Sequence, residues 1–339
     1  MSRKVRITSV AAVLVAIVLI GAACSNKKTT TPSTSGASTP VEPFKVAIVA
    51  PSAPNDLAFT QSMVDAVNRL KDQYNLDIAV SDSLFVVEDA AAAIQDYASK
   101  GYDLVIAHGS QFGGSVQEIA ADFPDVSFAW GTAGDTFGLP NVFAYQAASD
   151  QGGYVMGQMA AALSQSGVIG VVGPIEVGDA KLYVDGFKNG AVAEKSTVDV
   201  RVNYTGSFSD VALASEAAKS FVDAGADVMT GSAQMVVGAV GVAKENNIAW
   251  FGTQSNQTSL APEVVVASQV YHWEVVLSQI IDAIKAGTLG GQTYNIDLAN
   301  GGEVVEFNPD YALSDEVKAI GDAAVQGIKD GSITTGVSA

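Results

Sequence analysis

The chain has 339 residues, 48% of them hydrophobic and 16% charged, which gives enough length and apolar content for two globular domains. Acidic residues outnumber basic ones by 36 to 18, so the formal net charge is -18. A surface this negative excludes nucleic acid and anionic lipid as electrostatic partners.

The N-terminus has the layout of a secretory signal. A short basic region is followed by an unbroken apolar run over residues 10–23. This run is shorter than the about 20 residues that a bilayer core requires, but it fits the apolar region of a signal peptide. The run ends at Cys24, the only cysteine of the chain. We expect a lipoprotein signal peptide over residues 1–23 and lipidation of Cys24. The alternative is a plain signal peptide with an incidental thiol.

Residues 24–43 consist largely of Ser, Thr, Pro, Lys and Gly. Such a segment buries too little apolar surface to offset the entropy lost on ordering. We therefore predict a disordered tether between the anchor and the folded body.

From Phe44 onward, short apolar runs alternate with stretches of helical spacing. Strands are predicted over residues 45–50, 78–80, 103–107, 126–130, 142–145, 168–172, 198–204, 226–230, 248–251 and 264–267. Helices are predicted over residues 58–74, 88–100, 116–120, 151–164, 181–195, 212–224, 238–246 and 275–286.

This alternation predicts an α/β fold of two doubly wound, Rossmann-like lobes. We expect the chain to cross between the lobes near Ala147, Phe251 and Gly287. The N-terminal lobe would then contain residues 44–146 plus 252–286, and the C-terminal lobe residues 147–251 plus 287–333.

Polar loops follow the ends of the predicted strands. Ligands of open α/β sheets bind outside the carboxyl ends of the strands, so two facing lobes would form a ligand cleft there. The expected ligand-binding residues are Asn55, Asp56, Ser110, Gln111, Trp130, Phe208, Gln234 and Gln254.

Two of these positions have an alternative role. Asn55 and Asp56 precede a predicted helix and could cap it instead of binding ligand.

Phe208 follows a Gly-Ser pair in a tight loop, where stacking on a ligand is the expected role. Phe59 is expected in the helix core.

The sequence offers little for catalysis. Its two histidines, His108 and His272, belong to no Cys/His cluster, and no metal-binding or phosphate-cradling motif occurs. His108 is either a cleft residue or a hydrogen-bonded structural one, and His272 is expected to pack. We expect no enzyme, metal or cofactor; the weaker alternative is a secreted hydrolase that uses His108 and Ser110.

Five motifs occur in order along the folded part of the chain. They are the nine residues 54–62 (Pro-Asn-Asp-Leu-Ala-Phe-Thr-Gln-Ser), Gly186-Phe187-x-x-Gly190, residues 202–210 (Val-Asn-Tyr-Thr-Gly-Ser-Phe-Ser-Asp), residues 225–228 and residues 255–262. In this order they resemble the motifs of the basic membrane protein family, the lipoprotein receptors of ABC importers.

The resemblance implies a type I periplasmic-binding-protein architecture with a three-crossing hinge. It also implies a monomer anchored by lipid, such as palmitate, on the extracytoplasmic face of the cell membrane. Such a protein passes a small polar ligand, in the best understood members a purine nucleoside, to an ABC permease. The alternative is a receptor that reports ligand binding to a membrane signalling partner.

The sequence departs from the family pattern at four pocket positions. Gln254 and Asn256 stand where the family has carboxylates, and Tyr271 stands where a lysine is expected. Val64 replaces an aromatic residue that stacks on the base. These changes predict a less charged pocket than that of the nucleoside-binding members.

Overall fold

The computed structural model describes residues 42–337. The signal peptide, Cys24 and all but the last two residues of the expected tether lie outside the described residues. Across the described range, no helix combines the length and the apolar character that a membrane span requires.

Within residues 42–337 the strands form two six-stranded sheets. The first contains β1 (Phe44–Val49), β2 (Leu76–Ser81), β3 (Leu104–His108), β4 (Ser127–Gly131), β5 (Val142–Ala147) and β11 (Thr293–Ile296). Its order is β11-β5-β4-β3-β1-β2, and all of its pairings are parallel. The second contains β6 (Val168–Gly173), β7 (Asp199–Tyr204), β8 (Val228–Gly231), β9 (Ala249–Gly252), β10 (Val265–Tyr271) and β12 (Glu303–Phe307). Its order is β12-β10-β9-β8-β6-β7, with β12 antiparallel to β10.

Helices cover both faces of each sheet and complete two lobes. The first lobe contains α1 (Phe59–Tyr74), α2 (Val87–Ser99), α3 (Gly113–Asp122) and α8 (Glu274–Lys285). The second contains α4 (Ser149–Leu163), α5 (Gly178–Glu194), α6 (Val211–Asp223), α7 (Val237–Glu245) and α9 (Asp315–Lys329). The predicted fold of two doubly wound α/β lobes is confirmed.

Helix α1 illustrates how the apolar pattern selects the fold. Met63, Ala66, Val67 and Leu70 recur at helical spacing, and all four are buried against the first sheet. Burial of a side chain such as Met63 or Leu70 contributes about 1.5–3 kcal/mol. The remaining positions of α1 are largely polar, so only one orientation of the helix buries its apolar face.

Helices α4 and α5 approach each other unusually closely. A Cβ atom at Gly157 would overlap the carbonyl oxygen of Phe187, and one at Gly190 would overlap that of Tyr154. Glycine is therefore required wherever the two backbones touch. This contact gives a physical reason for the Gly186-Phe187-x-x-Gly190 motif, which serves helix packing.

The chain crosses between the lobes at three places, two of which differ from the expected positions. The first follows β5 at Ala148, close to the expected Ala147. The second lies at His272, because β10 pairs with β9 and β12 and so keeps the chain in the second lobe beyond Phe251. The third spans residues 297–302, because β11 pairs with β5 of the first sheet and so keeps the chain in the first lobe beyond Gly287. The expected lobe boundaries are corrected accordingly.

A fully buried carboxylate connects the chain segments beside all three crossings. Oε1 of Glu303, which follows the third crossing, accepts hydrogen bonds from the amide of Gly152 (2.6 Å) and from Nε2 of Gln269 (2.5 Å). Gly152 follows the first crossing, and Gln269 precedes the second. Burial raises the pKa of Glu303 to about 8; the two hydrogen bonds oppose this rise, and the nearby Asp150 and Asp297 add to it.

This raised pKa predicts a loss of stability at alkaline pH. Between the ordinary value of 4.5 and about 8, the folded state holds a proton that the unfolded state has released. The free energy of unfolding therefore falls as pH rises through this window, by about 1.4 kcal/mol per pH unit. In Glu303→Gln this contribution should vanish, so the variant gains stability relative to the wild type between pH 6 and 8.

Denaturant unfolding across this pH range measures the effect. Glu306→Gln, a part-exposed carboxylate on the same strand, is the matched control and should follow the wild-type profile. A Glu303→Gln profile that runs parallel to the wild-type profile would contradict the assignment.

Candidate functional site

A cavity lies where the carboxyl ends of strands from both sheets face each other. The space between these strand ends is about 390 Å³, a volume that includes space open to solvent. The first lobe contributes Pro51, Phe59, Phe85, Gly109, Ser110, Gln111 and Thr132, and the second contributes Asp179, Ala180, Phe208, Ala233, Gln234 and Gln254.

The structure brings five of the eight expected ligand-binding residues together in this lining. They are Ser110, Gln111, Phe208, Gln234 and Gln254. Each follows the carboxyl end of a parallel strand, which is the criterion that selected it. The expected residues Asn55, Asp56 and Trp130 lie outside the lining.

The contacts of Asp56 are those of a helix cap. Its carboxylate accepts hydrogen bonds from the backbone amides of Ala58 (2.9 Å), Thr60 (3.1 Å) and Gln61 (3.1 Å) at the start of α1. A further bond comes from the Ser52 hydroxyl (2.6 Å). With these bonds its oxygens are already engaged, so capping explains the residue better than ligand binding.

Trp130 and Asn55 are also placed away from the cavity. The Trp130 indole stacks on Phe137, with ring centroids 4.7 Å apart, and its Nε1 donates to the carbonyl of Gly109. Trp130 therefore supports the loop that carries Ser110. Asn55 is exposed at the surface of the loop before α1.

An aromatic column forms one wall of the cavity. Phe59, expected in the helix core, lines the cavity and stacks on His108 at 3.8 Å with an interplanar angle of 9°. The His108 ring is in turn nearly parallel to that of Tyr145, at 6.0 Å. The column holds the Phe59 ring in a fixed orientation.

His108 is a structural residue of this column and is held neutral. Its Nε2 donates to the carbonyl oxygen of Phe59 (3.1 Å), which can only accept, so Nδ1 accepts from the Tyr145 hydroxyl (2.8 Å). Burial lowers the pKa of His108 to about 3, against the hydrogen bond to Phe59, which raises it. With both nitrogens engaged, the imidazole is not placed to activate Ser110, which disfavours the hydrolase alternative.

The buried imidazole predicts a loss of stability in acid. As pH falls from 6.5 towards 3, the unfolded state gains a proton that His108 does not take up when folded. Stability should fall by about 1.4 kcal/mol per pH unit in this window. His108→Phe keeps the ring stack and removes the titration, so its stability should fall less steeply.

At pH 7.5 the same variant should be about 1–3 kcal/mol less stable, because the Tyr145 hydroxyl and the Phe59 carbonyl lose their partner. Denaturant unfolding from pH 7.5 to 4.5 measures both effects. His272→Gln, at the part-exposed second histidine, controls for the loss of any histidine. Equal slopes for His108→Phe and the wild type would refute a neutral His108.

Asp179 was not among the expected site residues, although it meets the same strand-end criterion. It lies in the first turn of α5, and its Oδ1 accepts from the Thr132 hydroxyl of the first lobe (3.0 Å). Part of the residue is exposed, but Oδ2 is buried. Burial raises the pKa of Asp179, while the hydrogen bond from Thr132 and the nearby side chain of Gln254 lower it.

Three buried polar atoms at the cavity have no hydrogen-bond partner among residues 42–337. They are Oδ2 of Asp179, Nε2 of Gln234 and Oε1 of Gln254. Buried polar groups are normally satisfied, so these atoms are free to form hydrogen bonds with a ligand. In the described lining Asp179 is the one charged group. The described chain also has no cluster of His, Cys, Asp or Glu that could hold a metal ion.

The model of one protein family, described as the PnrA-like ABC transporter substrate-binding proteins (Bmp), matches residues 44–333. The chain belongs to this family. It is therefore the substrate-binding protein of an ABC transporter, and the expected family resemblance is confirmed.

The sequence identity between this chain and individual relatives is low. A purine-binding protein of Brucella abortus is 26% identical over 302 residues, covering 88% of this chain and 84% of the relative. An ABC transporter nucleoside-binding protein of Lactococcus lactis is 26% identical, covering 98% of this chain and 99% of the relative. The structure of an ABC transporter solute-binding protein of Conexibacter woesei has a TM-score of 0.70 and 26% identity, covering 86% and 97%. The Conexibacter structure has the type I periplasmic-binding fold that the resemblance implied.

Proposed function

We propose that this substrate-binding protein is a lipid-anchored receptor on the extracytoplasmic face of the membrane and that its ligand is a nucleoside. The aromatic cavity between the lobes is the observation that carries the proposal. Names of the Brucella and Lactococcus relatives support a purine or nucleoside ligand. The family supports import through an ABC permease over signalling or hydrolysis.

The lining matches the two parts of a nucleoside. Phe59 and Phe208 offer aromatic faces on which a flat base can stack, one from each lobe. Polar side chains of Gln111, Gln234 and Gln254 provide hydrogen-bond donors and acceptors for ribose hydroxyls and base edges. A ligand that contacts both lobes would favour the closed arrangement, because it binds that arrangement more tightly than an open one.

Removal of one aromatic face tests the base-stacking role. Phe208→Ala should weaken nucleoside binding by about 1–3 kcal/mol, or roughly 5- to 150-fold, because stacking of a base on an aromatic ring is worth that much. Isothermal titration calorimetry with guanosine, inosine, adenosine and cytidine measures the loss. Phe137→Ala, which removes a ring packed on Trp130 outside the cavity, should leave the affinity unchanged.

Two results would count against the proposal. If no nucleoside binds the wild-type chain, the ligand assignment is wrong although the fold and the family stand. If Phe208→Ala binds as tightly as the wild type, Phe208 does not stack on the base.

The lipid anchor has a separate test. Cells that express the wild-type chain and are grown with radiolabelled palmitate should incorporate label into it, and the protein should sediment with membranes. Cys24→Ser should lose the label and appear in the soluble extracellular or periplasmic fraction, because the acyl chains are its only proposed membrane attachment. Label retained by the serine variant would rule out Cys24 as the acylation site.

A further inference from the structure

We infer that Asp179 determines ligand specificity: it accepts hydrogen bonds from N–H or O–H groups of an uncharged ligand and excludes anions such as nucleotides. This inference rests on the proposed function in taking the cavity as the ligand site. It adds a residue and a charge selection that family membership does not provide.

The position of Asp179 makes its carboxylate available to a ligand. Oδ1 is already engaged by Thr132, which fixes the carboxylate plane. Oδ2 is buried in the cavity lining and has no partner in the part of the chain that the structure describes. An ionised carboxylate only accepts hydrogen bonds, so the group that satisfies Oδ2 must be a donor.

The neighbouring amides extend this requirement. Gln254, whose side-chain amide lies close enough to lower the pKa of Asp179, has an unpartnered Oε1 that also needs a donor. Nε2 of Gln234 is unpartnered and needs an acceptor. The three atoms together favour a ligand with at least two donors and one acceptor. Nucleosides, through their ribose hydroxyls, base N–H groups and carbonyls, meet this requirement.

The charge of the lining determines what is rejected. None of the described residues that line the cavity is basic, and the nearby His108 is buried behind Phe59 and neutral. A phosphate or carboxylate group in this cavity would lose its hydration without gaining a cation. It would also be repelled by Asp179 at short range. A nucleoside should therefore bind far more tightly than its monophosphate.

The position between the lobes adds a geometric reason. Thr132 belongs to the first lobe and Asp179 to the second, so one carboxylate contacts both when the lobes are together. A ligand donor on Oδ2 is consequently held where the lobes meet. Hydrogen bonds to an ionised acceptor are roughly twice as strong as neutral ones, so this contact should weigh heavily in affinity.

The test compares Asp179→Asn with the wild type, using the full-length chain purified in detergent. The asparagine keeps the size of the side chain and can still accept from Thr132, but it removes the charge. Glu176→Gln is the matched control, because it removes one negative charge three residues away at an exposed position outside the lining. Melting temperatures confirm that each variant is folded.

Calorimetric titrations use guanosine, guanosine 5′-monophosphate, and the uncharged heteroaromatic compounds guanine and nicotinamide. We expect Asp179→Asn to bind guanosine at least about tenfold more weakly than the wild type, because a charge-assisted bond is lost. We also expect the wild-type preference for guanosine over its monophosphate to shrink by a similar factor. Glu176→Gln should change neither quantity.

The outcomes separate this inference from the proposed function. If guanosine binds equally well to the wild type and Asp179→Asn, or the monophosphate binds the wild type as tightly as guanosine, the inference is overturned and the nucleoside assignment stands. If no nucleoside binds but guanine or nicotinamide does, and Asp179→Asn weakens that binding, the nucleoside assignment falls and the inference stands. If nothing in the panel binds, both are overturned.

Discussion

In a parallel sheet every strand ends at the same edge, and apart from β12 the strands of both lobes pair in parallel. The loops after β1 to β4 and after β6 to β9 are therefore gathered at two edges that face each other. Every residue of the cavity lining comes from one of these loops or from the helix turn that follows it. The backbone pairing thus decides where a ligand can bind, and the side chains at the strand ends decide which ligand.

The lobes could be predicted from the sequence because their signal is local. Short apolar runs give strands and helical spacing gives helices, each readable within about 15 residues. The crossings could not be placed this way. An apolar strand such as β10 fits either sheet equally well, and its position depends on pairing with β9 and β12. The short and partly buried strands β11 and β12 gave no strong local pattern.

The site was partly predictable for a related reason. A strand-end position identifies residues that can face the cavity, which succeeded for Gln111, Gln234 and Gln254. It does not show which way a side chain turns. Asp56 turns back to cap α1, whereas Asp179, also near a helix start, leaves one oxygen for the cavity. The carboxylate of Asp179 is bonded to Thr132 of the other lobe, a neighbour that no local pattern contains.

The close contact of α4 and α5 has a mechanical consequence. Helix α5 begins beside the cavity next to Asp179, and α4 begins directly after the first crossing at Ala148. At the glycine positions the two backbones are in direct contact, which leaves little room for one helix to shift against the other. We expect the pair to move as one rigid unit that extends from the cavity to the first crossing. A displacement of Asp179 should therefore be transmitted through both helices to the first crossing.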